Sequence, residues 1–234
     1  MAKRIAESGI ASRREAEKLI IDGKVVVDGQ TVITPVFFVT DQNEVSVDGN
    51  VIAKKNEEII IWKFHKPSGV ITTKNDPQHR ETVFSGKNFH QRFIYIGRLD
   101  YNSEGLLLFT NNGDVARKME LPSTGLKRVY RVRIFGDLTE EKIDKLKKGV
   151  TINGIKYGSA DIKIEKRSMN SWITVTISEG KNREIRKMME YVGCKVSRLI
   201  RVSYGPFNLD DLQPGSIKKA SKQEIKQLFN YILK

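Results

Sequence analysis

Arg98 and Asp100 are the charged residues whose position in the sequence most needs an explanation. They occur in GRLDYNSEGLLLFTN, residues 97–111, shortly before the apolar run from Leu106 to Phe109. A short apolar run is readily explained as a buried strand. A carboxylate placed where a strand ends and a loop begins is well positioned for chemistry, because the strand holds it rigidly. An Arg-x-Asp sequence is nevertheless more often a local ion pair, so the spacing alone leaves both interpretations open.

Several other kinds of catalysis lack the residues that they require. The sequence contains no G-x-x-x-x-G-K and no G-x-G-x-x-G phosphate-binding pattern, and no G-x-S-x-G elbow. His65, His79 and His90 are spaced too irregularly for one metal site, and Cys194 is the single cysteine. We therefore predict neither a metal nor a cofactor. If the chain is an enzyme, it should work with carboxylate, Tyr and Arg side chains.

The charge of the chain favours a polyanionic partner. The net charge is +13 over 234 residues, and nucleic acid is the usual partner of so basic a protein. Residues 1–52 contain six Lys and Arg against eight Asp and Glu, so the excess lies in the remainder of the chain. No window approaches the roughly 20 apolar residues of a membrane span, and the N-terminus has no signal-peptide core. These features predict a cytoplasmic protein that does not bind membranes.

Residues 1–52 are predicted to form a small αα-ββ domain. Ser12 and Glu15 in SRREAEKLIIDG have the spacing of a capping box, which marks the start of a helix. The segments KVVVDGQTV and EVSVDGNVI each contain Asp-Gly between β-branched residues, which is typical of a hairpin. The charged residues 53–57 that follow are predicted to be a linker.

Basic residues cluster locally in this first domain. A solvated helix face would explain them, but the segment GIASRREAEKLIIDGKVVVDGQTV resembles the S-four-like (alpha-L) RNA-binding domain, named after a ribosomal protein. The resemblance implies RNA-binding roles for Arg13, Arg14, Lys18 and Lys24.

Residues 58–234 are predicted to form a second, α+β domain with a mainly antiparallel sheet. RVYRVRIFG alternates apolar and basic residues, as a half-buried strand does, and WITVTISEG and VSRLIRVSYG are also predicted strands. NREIRKMMEYVG has apolar residues at helical spacing, and Ser221 begins a last helix with a second capping box to Glu224. Short turns between most strands favour antiparallel pairing.

Three segments of this second domain together resemble the rRNA pseudouridine synthases of the RsuA type. They are GRLDYNSEGLLLFTNNGD, LKRVYRVRIFG and EGKNREIRKMMEYVGCKVSRLIRVSYGP, in the order that the family has them. The resemblance implies that Asp100 is the catalytic nucleophile, with Arg98 beside it in the active site. It further implies that Tyr130 stacks on the target base and that Arg186 pairs with Asp100.

The same resemblance implies an enzyme that isomerises a uridine without any cofactor and flips the base out of the RNA. Ribosomal RNA, free or in an assembly intermediate, is the expected partner, and we expect a monomer. The sequence looks closest to the members that modify large-subunit rRNA, the RluB-like branch. Basic residues in and after the third segment are expected to hold the phosphate backbone: Arg183, Lys187, Arg198 and Arg201.

Three alternatives remain open from the sequence. The target could lie in small-subunit rRNA, because substrate choice depends on loops that one sequence does not explain. A non-catalytic rRNA-binding assembly factor would be expected to have lost Asp100, Tyr130 or Arg186, and all three are present. An RNA chaperone that acts through charge alone would not depend on Asp100 at all.

Overall fold

The chain folds into two compact units, Met1–Ile59 and Ile60–Lys234. The computed structural model describes residues 1–52, 58–85, 93–166 and 168–232. The predicted linker at 53–57 lies outside these described residues. Within them, no helix is long and apolar enough to cross a membrane.

The first unit begins with two short helices whose ends the sequence encodes locally. Helix α1 (Ala2–Ser8) ends at Gly9, which adopts the left-handed conformation that glycine tolerates. Helix α2 (Arg13–Ile21) begins with the predicted capping box. The Ser12 amide donates to Glu15 Oε2 at 2.7 Å, and the Glu15 amide donates to Ser12 Oγ at 3.3 Å. Both predicted helices are confirmed.

Two hairpins complete the first unit, and both turn at the Asp-Gly pairs, as predicted from the sequence. Asp28 and Asp48 have positive φ angles, as do the glycines after them, and this is the geometry of a tight hairpin turn. The strands of the two hairpins are β1 (Val25–Val27), β2 (Gln30–Val32), β3 (Val45–Val47) and β4 (Asn50–Val51). These four strands form one sheet in the order β2-β1-β3-β4, which packs on α1 and α2 through Ile5, Ile20 and Val25.

The second unit is built on one large sheet, nine-stranded over the described residues. The strands of this unit are β5 (Ile61–Lys66), β6 (Ile94–Ile96), β7 (Glu104–Thr110), β8 (Arg128–Phe135), β9 (Val150–Ile152), β10 (Ile155–Tyr157), β11 (Asp161–Lys166), β12 (Asn170–Ile177), β13 (Lys195–Tyr204), β14 (Phe207–Asn208) and β15 (Ile217–Lys219). The order in the large sheet is β11-β12-β8-β13-β7-β5-β15, with β14 beside β13 and β6 beside β7, while β9 and β10 form a separate hairpin.

Over the described residues, four α-helices accompany this sheet: α3 (Gly113–Glu120), α4 (Glu140–Lys147), α5 (Glu184–Tyr191) and α6 (Lys222–Ile232). Helix α3 packs near β6 and β7, and α5 contacts both β9 and β13. On β8 the predicted alternation is confirmed, because Tyr130, Val132 and Ile134 are buried while Arg131 and Arg133 are exposed. These three buried residues of β8 and Met188 of α5 belong to the same hydrophobic core.

The predicted fold class, a small αα-ββ domain followed by a mainly antiparallel α+β domain, is confirmed. The only parallel pair among the described strands joins β7 to β13, with Glu104 opposite Ile200 and Gly105 opposite Arg201. The predicted strand VSRLIRVSYG corresponds to β13, but β14 and β15, which follow it, were not predicted from the sequence. Both are only two or three residues long, too short for a periodicity to be recognised.

Candidate active site

Asp100 lies on the loop that joins β6 to β7, residues 97–103, which we name the Asp100 loop. The Asp100 side chain is half-buried, whereas Arg98 is exposed. Within the described residues, no hydrogen bond or ion pair engages the Asp100 carboxylate. An Arg98–Asp100 ion pair is therefore not what holds this loop.

Main-chain hydrogen bonds hold the first half of the Asp100 loop. The Gly97 amide donates to Glu120 Oε1 on α3 at 2.7 Å. The Thr72 hydroxyl bonds to both main-chain groups of Leu99. Its Oγ1 donates to the Leu99 carbonyl at 3.0 Å and accepts from the Leu99 amide at 3.4 Å. The Asp100 carbonyl accepts from the Ser103 amide at 3.0 Å. The backbone on both sides of the carboxylate is thus fixed by the surrounding fold.

Lys66 fixes the second half of the Asp100 loop through hydrogen bonds of its side chain. It ends β5, is fully buried, and directs its Nζ at three carbonyl oxygens. The distances are 2.9 Å to Pro67, 2.8 Å to Ser103 and 3.4 Å to Tyr101. Burial lowers the pKa of Lys66 to about 8, and the negative charges of Asp100 and Glu104 oppose that decrease. Lys66 therefore combines a loop-fixing role with a positive charge near Asp100.

Replacing Lys66 with Met is expected to lower the kcat of the isomerisation that the sequence resemblance implies by about tenfold to a hundredfold, because the carbonyls of Tyr101 and Ser103 lose their donor and the Asp100 carboxylate is misplaced. The affinity for the expected RNA should stay near the wild-type value, since Lys66 is buried. The measurements are turnover and filter binding, with the exposed Lys163→Met as control.

A pH series of urea unfolding gives a second measurement on the same variant. The folded protein loses the Lys66 proton near pH 8, whereas the unfolded chain loses it near 10.5. The unfolding free energy of the wild type should therefore rise relative to that of Lys66→Met between these pH values. A difference that is independent of pH would contradict the assignment.

Arg186 reaches the Asp100 loop from helix α5. Its Nη2 donates to the Asn102 carbonyl at 3.1 Å, and its Nη1 donates to the Val196 carbonyl on β13 at 3.2 Å. Burial and the positive charge of Arg183 lower the pKa of Arg186, and the charge of Asp100 opposes that decrease. The charges of Arg186 and Asp100 thus interact, but the two hydrogen bonds of Arg186 go to main-chain oxygens and not to the Asp100 carboxylate.

Tyr130 belongs to the apolar cluster next to the Asp100 loop. It is 7% exposed, and the same cluster contains Val70 and Leu99. Leu99 immediately precedes Asp100, so Tyr130 shares a core cluster with a residue of the Asp100 loop. Its stacking on a base stays a prediction.

The basic residues predicted around this site differ in their surroundings. Arg183 is exposed and adopts a left-handed conformation at the start of α5, and Lys187 is half-buried on the same helix. Arg198 forms a bidentate ion pair with Glu104, with both N–O distances at 2.9 Å, yet its side chain is 51% exposed. These three residues remain candidates for phosphate contacts.

The burial of Arg201 contradicts its predicted phosphate contact. Arg201 is 2% exposed, its Nε donates to the Leu106 carbonyl at 2.7 Å, and its guanidinium lies 5.2 Å from the Tyr204 ring centroid. The sequence prediction was wrong because the parallel pairing with β7 covers this side chain. Arg201 instead ties β13 to β7 next to Gly97.

In the first unit, the predicted RNA-binding residues all lie at the surface. Arg13, Arg14 and Lys18 are exposed on α2, and Lys24 is exposed at the entrance to β1. Lys24 lies 3.9 Å from Asp48, a weak surface pair that leaves its charge accessible.

Sequence reasoning missed Lys66, Thr72 and Glu120, which fix the Asp100 loop. Lys66 had a usable signal, because it ends a strand among apolar residues and precedes a Pro-x-Gly turn. A lysine in such a position is rarely buried without a specific partner. Thr72 and Glu120 carried no comparable signal.

Two family models match the two units in turn. The model described as RNA pseudouridylate synthase matches residues 60–191, and the S4 domain model matches residues 2–45. The chain therefore belongs to the RNA pseudouridine synthase family, whose members are isomerases, and carries an N-terminal S4 domain.

Individual relatives support the same assignment over nearly the whole chain. An uncharacterized RNA pseudouridine synthase of Rickettsia felis is 47% identical over 224 residues, covering 95% of this chain and 97% of the relative. Ribosomal large subunit pseudouridine synthase B of Yersinia pestis is 39% identical over 216 residues, covering 89% of this chain and 68% of the relative. A crystal structure of a pseudouridylate synthase shares the fold, with a TM-score of 0.70 at 24% identity over 97% of this chain and 98% of that one.

Proposed function

We propose that this enzyme converts a specific uridine of large-subunit ribosomal RNA to pseudouridine, with Asp100 as the nucleophile. The observation that carries the proposal is the Asp100 loop, whose backbone is fixed by Thr72, Glu120, Lys66 and Arg186 while its carboxylate stays unpaired among the described residues. The similarity to large-subunit synthases such as the one of Yersinia pestis supports the choice of RNA.

The reaction needs a nucleophile and a pocket but no redox partner. The carbon–nitrogen glycosidic bond of the uridine breaks, the base turns, its carbon 5 joins the sugar, the proton of carbon 5 leaves, and the nitrogen that left the sugar takes up a proton. The nucleophile in this proposal is the Asp100 carboxylate, and Lys66 and Arg186 place positive charge near it. The positive charges of these two residues would also attract the phosphates of the approaching RNA.

The target uridine would have to leave its stack to reach Asp100. Flipping a base costs a few kcal/mol, and stacking on an aromatic ring offsets part of that cost. Tyr130 supplies the ring in this proposal, and Arg183, Lys187 and Arg198 hold the flanking phosphates. The S4 domain contributes Arg13, Arg14, Lys18 and Lys24 to the same RNA. An enzyme that acts on ribosomal RNA in this way would work in the cytoplasm, as a monomer.

The proposal is tested by tritium release from transcripts labelled at carbon 5 of uridine. The purified protein is incubated with large-subunit and small-subunit rRNA transcripts in parallel, and the reactive uridine is then mapped in the RNA that responds. Release of one equivalent from the large-subunit transcript alone is the expected result. Release from the small-subunit transcript alone would transfer the function to the other subunit. No release from either, or from isolated assembly intermediates, would favour the non-catalytic binding factor.

A further inference from the structure

Glu184 is a buried carboxylate at the first position of α5, two residues before Arg186. Its side chain is 3% exposed, and its Oε2 accepts from the Lys181 amide at 2.9 Å. The Glu184 amide returns a bond to the Lys181 carbonyl at 3.1 Å. The other oxygen, Oε1, is also buried, and no donor faces it among the described residues. A buried carboxylate oxygen without a donor is costly, so this arrangement needs a proton or a partner.

The neighbouring group is the carboxylate of Glu179, which has donors of its own. Its Oε1 accepts from the Gly158 amide at 2.7 Å, and its Oε2 forms an ion pair with Lys181 Nζ. Hydrogen bonds from Lys181 and Gly158 lower the pKa of Glu179 in spite of its burial. Burial and contact with Glu179 raise the pKa of Glu184 to about 8. The two carboxyl groups therefore share one negative charge at neutral pH, with the proton on Glu184.

We propose that Glu184 is a positioning residue for the isomerisation: in its protonated form it donates to Glu179, and this bond fixes the start of α5 and hence Arg186 on the Asp100 loop. The proposal rests on the function proposed above. The path is short, because Arg186 follows Glu184 on the same helical turn and donates to the Asn102 carbonyl. The segment before the helix, 178–183, depends on the same carboxyl group through Lys181.

Loss of the Glu184 proton would place two adjacent negative charges in a buried site. The repulsion would loosen the segment 178–183 and the first turn of α5, so that Arg186 no longer holds the loop. We expect kcat to fall as the pH rises through about 8, with KM little changed, since Glu184 does not reach the surface. In the unfolded chain Glu184 titrates near 4.5, so its contribution to the unfolding free energy decreases as the pH rises from 4.5 to 8.

Within the part of the chain that the structure describes, few other charged or titratable groups lie near Glu179 and Glu184. Lys181 neutralises Glu179, and its Nζ lies 5.9 Å from the centroid of the Tyr157 ring, which β10 contributes. The Arg128 guanidinium of β8 lies beside Gly180. Lys66 titrates in the same pH range but bonds directly to the Asp100 loop. The experiment must therefore separate Glu184 from Lys66.

Glu184→Gln is the informative variant, because the Gln amide nitrogen can donate to Glu179 while its oxygen still accepts from Lys181. Single-turnover tritium release is measured from pH 6.5 to 9 for the wild type, Glu184→Gln and the exposed control Glu190→Gln. We expect the single-turnover rate of the wild type and of the control to fall about tenfold for each pH unit above 8. The rate of Glu184→Gln should stay constant over the same pH range. An alkaline fall that persists in Glu184→Gln would overturn the proposal and assign the fall to Lys66 or the RNA. A wild-type rate that does not fall above pH 8 would overturn it equally.

Carboxyl-carbon NMR of glutamate-labelled protein tests the proton without any reliance on activity. One carboxyl signal should titrate near pH 8 in the wild type, be absent in Glu184→Gln, and titrate at a lower pH in Glu179→Gln, where the neighbouring charge is removed but the burial of Glu184 remains. A Glu184 signal that titrates near 4.5 in the wild type would refute the shared proton. Because this readout needs no substrate, a failure of the proposed function and a failure of this inference give different results.

Discussion

Asp100→Asn is expected to abolish tritium release, with a loss of at least about 10³-fold in kcat. An amide of the same size cannot act as the nucleophile. The Asp100 loop should keep its conformation, because the bonds that fix it involve the main chain of residues 97–103 and the side chains of Thr72, Glu120, Lys66 and Arg186. RNA affinity should stay within about twofold of wild type, since one carboxylate is a small part of a large basic interface.

The measurements for Asp100→Asn are single-turnover tritium release and filter binding at several salt concentrations. Asp211→Asn, a change of the same kind at an exposed position in the same unit, is the control and should behave as wild type. Full activity of Asp100→Asn would remove Asp100 from the mechanism. A large loss of RNA binding would show instead that the carboxylate organises the interface.

Gly105→Ala is expected to prevent the second unit from folding stably, with a loss of more than about 4 kcal/mol in the free energy of unfolding. Gly105 has a φ of +101°, and a Cβ built there would lie 2.3 Å from the Arg201 carbonyl oxygen and 2.7 Å from the Arg201 amide nitrogen. These atoms belong to the paired backbone of β13, so neither can move aside without breaking the β7–β13 pairing.

Gly125→Ala is the matched control for Gly105→Ala. Gly125 also has a positive φ, +63°, but nothing lies within 4 Å of its Cβ position, so only the backbone conformation costs energy, about 1 kcal/mol. Urea unfolding followed by tryptophan fluorescence reports on the second unit alone, because Trp62 and Trp172 both belong to it. Equal effects of the two substitutions would contradict the steric explanation.

The parts of this fold that the sequence predicts are those decided within a few residues. The capping boxes at Ser12–Glu15 and Ser221–Glu224 are both formed. The Asp-Gly turns at 28 and 48 adopt the required positive φ angles. In each case the same short segment contains both the hydrogen-bonding groups and the conformational preference. The hairpin of β9 and β10 also has a local signal, Asn153-Gly154, which was overlooked.

What could not be predicted depends on which strands become neighbours. Arg201 looked like a surface cation in SRLIRVSYG, and only the pairing of β13 with β7 buries it. The role of Lys66 likewise needs β5 next to β7, so that its Nζ meets the carbonyl of Ser103. For the site itself, the motifs indicated Asp100, Tyr130 and Arg186, but not the contacts that hold the loop. Those contacts come from β5, the segment after it, α3 and α5.

The long-range support of the Asp100 loop has a consequence for how the enzyme matures during translation. Arg201 bonds to the carbonyl of a residue 95 positions earlier, and Arg186 to one 84 positions earlier. The carboxylate thus leaves the exit tunnel long before the strand and helix that immobilise its backbone, and such distant pairings form late. We expect ribosome-bound nascent chains that stop before β13 to be inert towards the RNA around them. Catalytic competence would then be among the last properties that the growing polypeptide acquires.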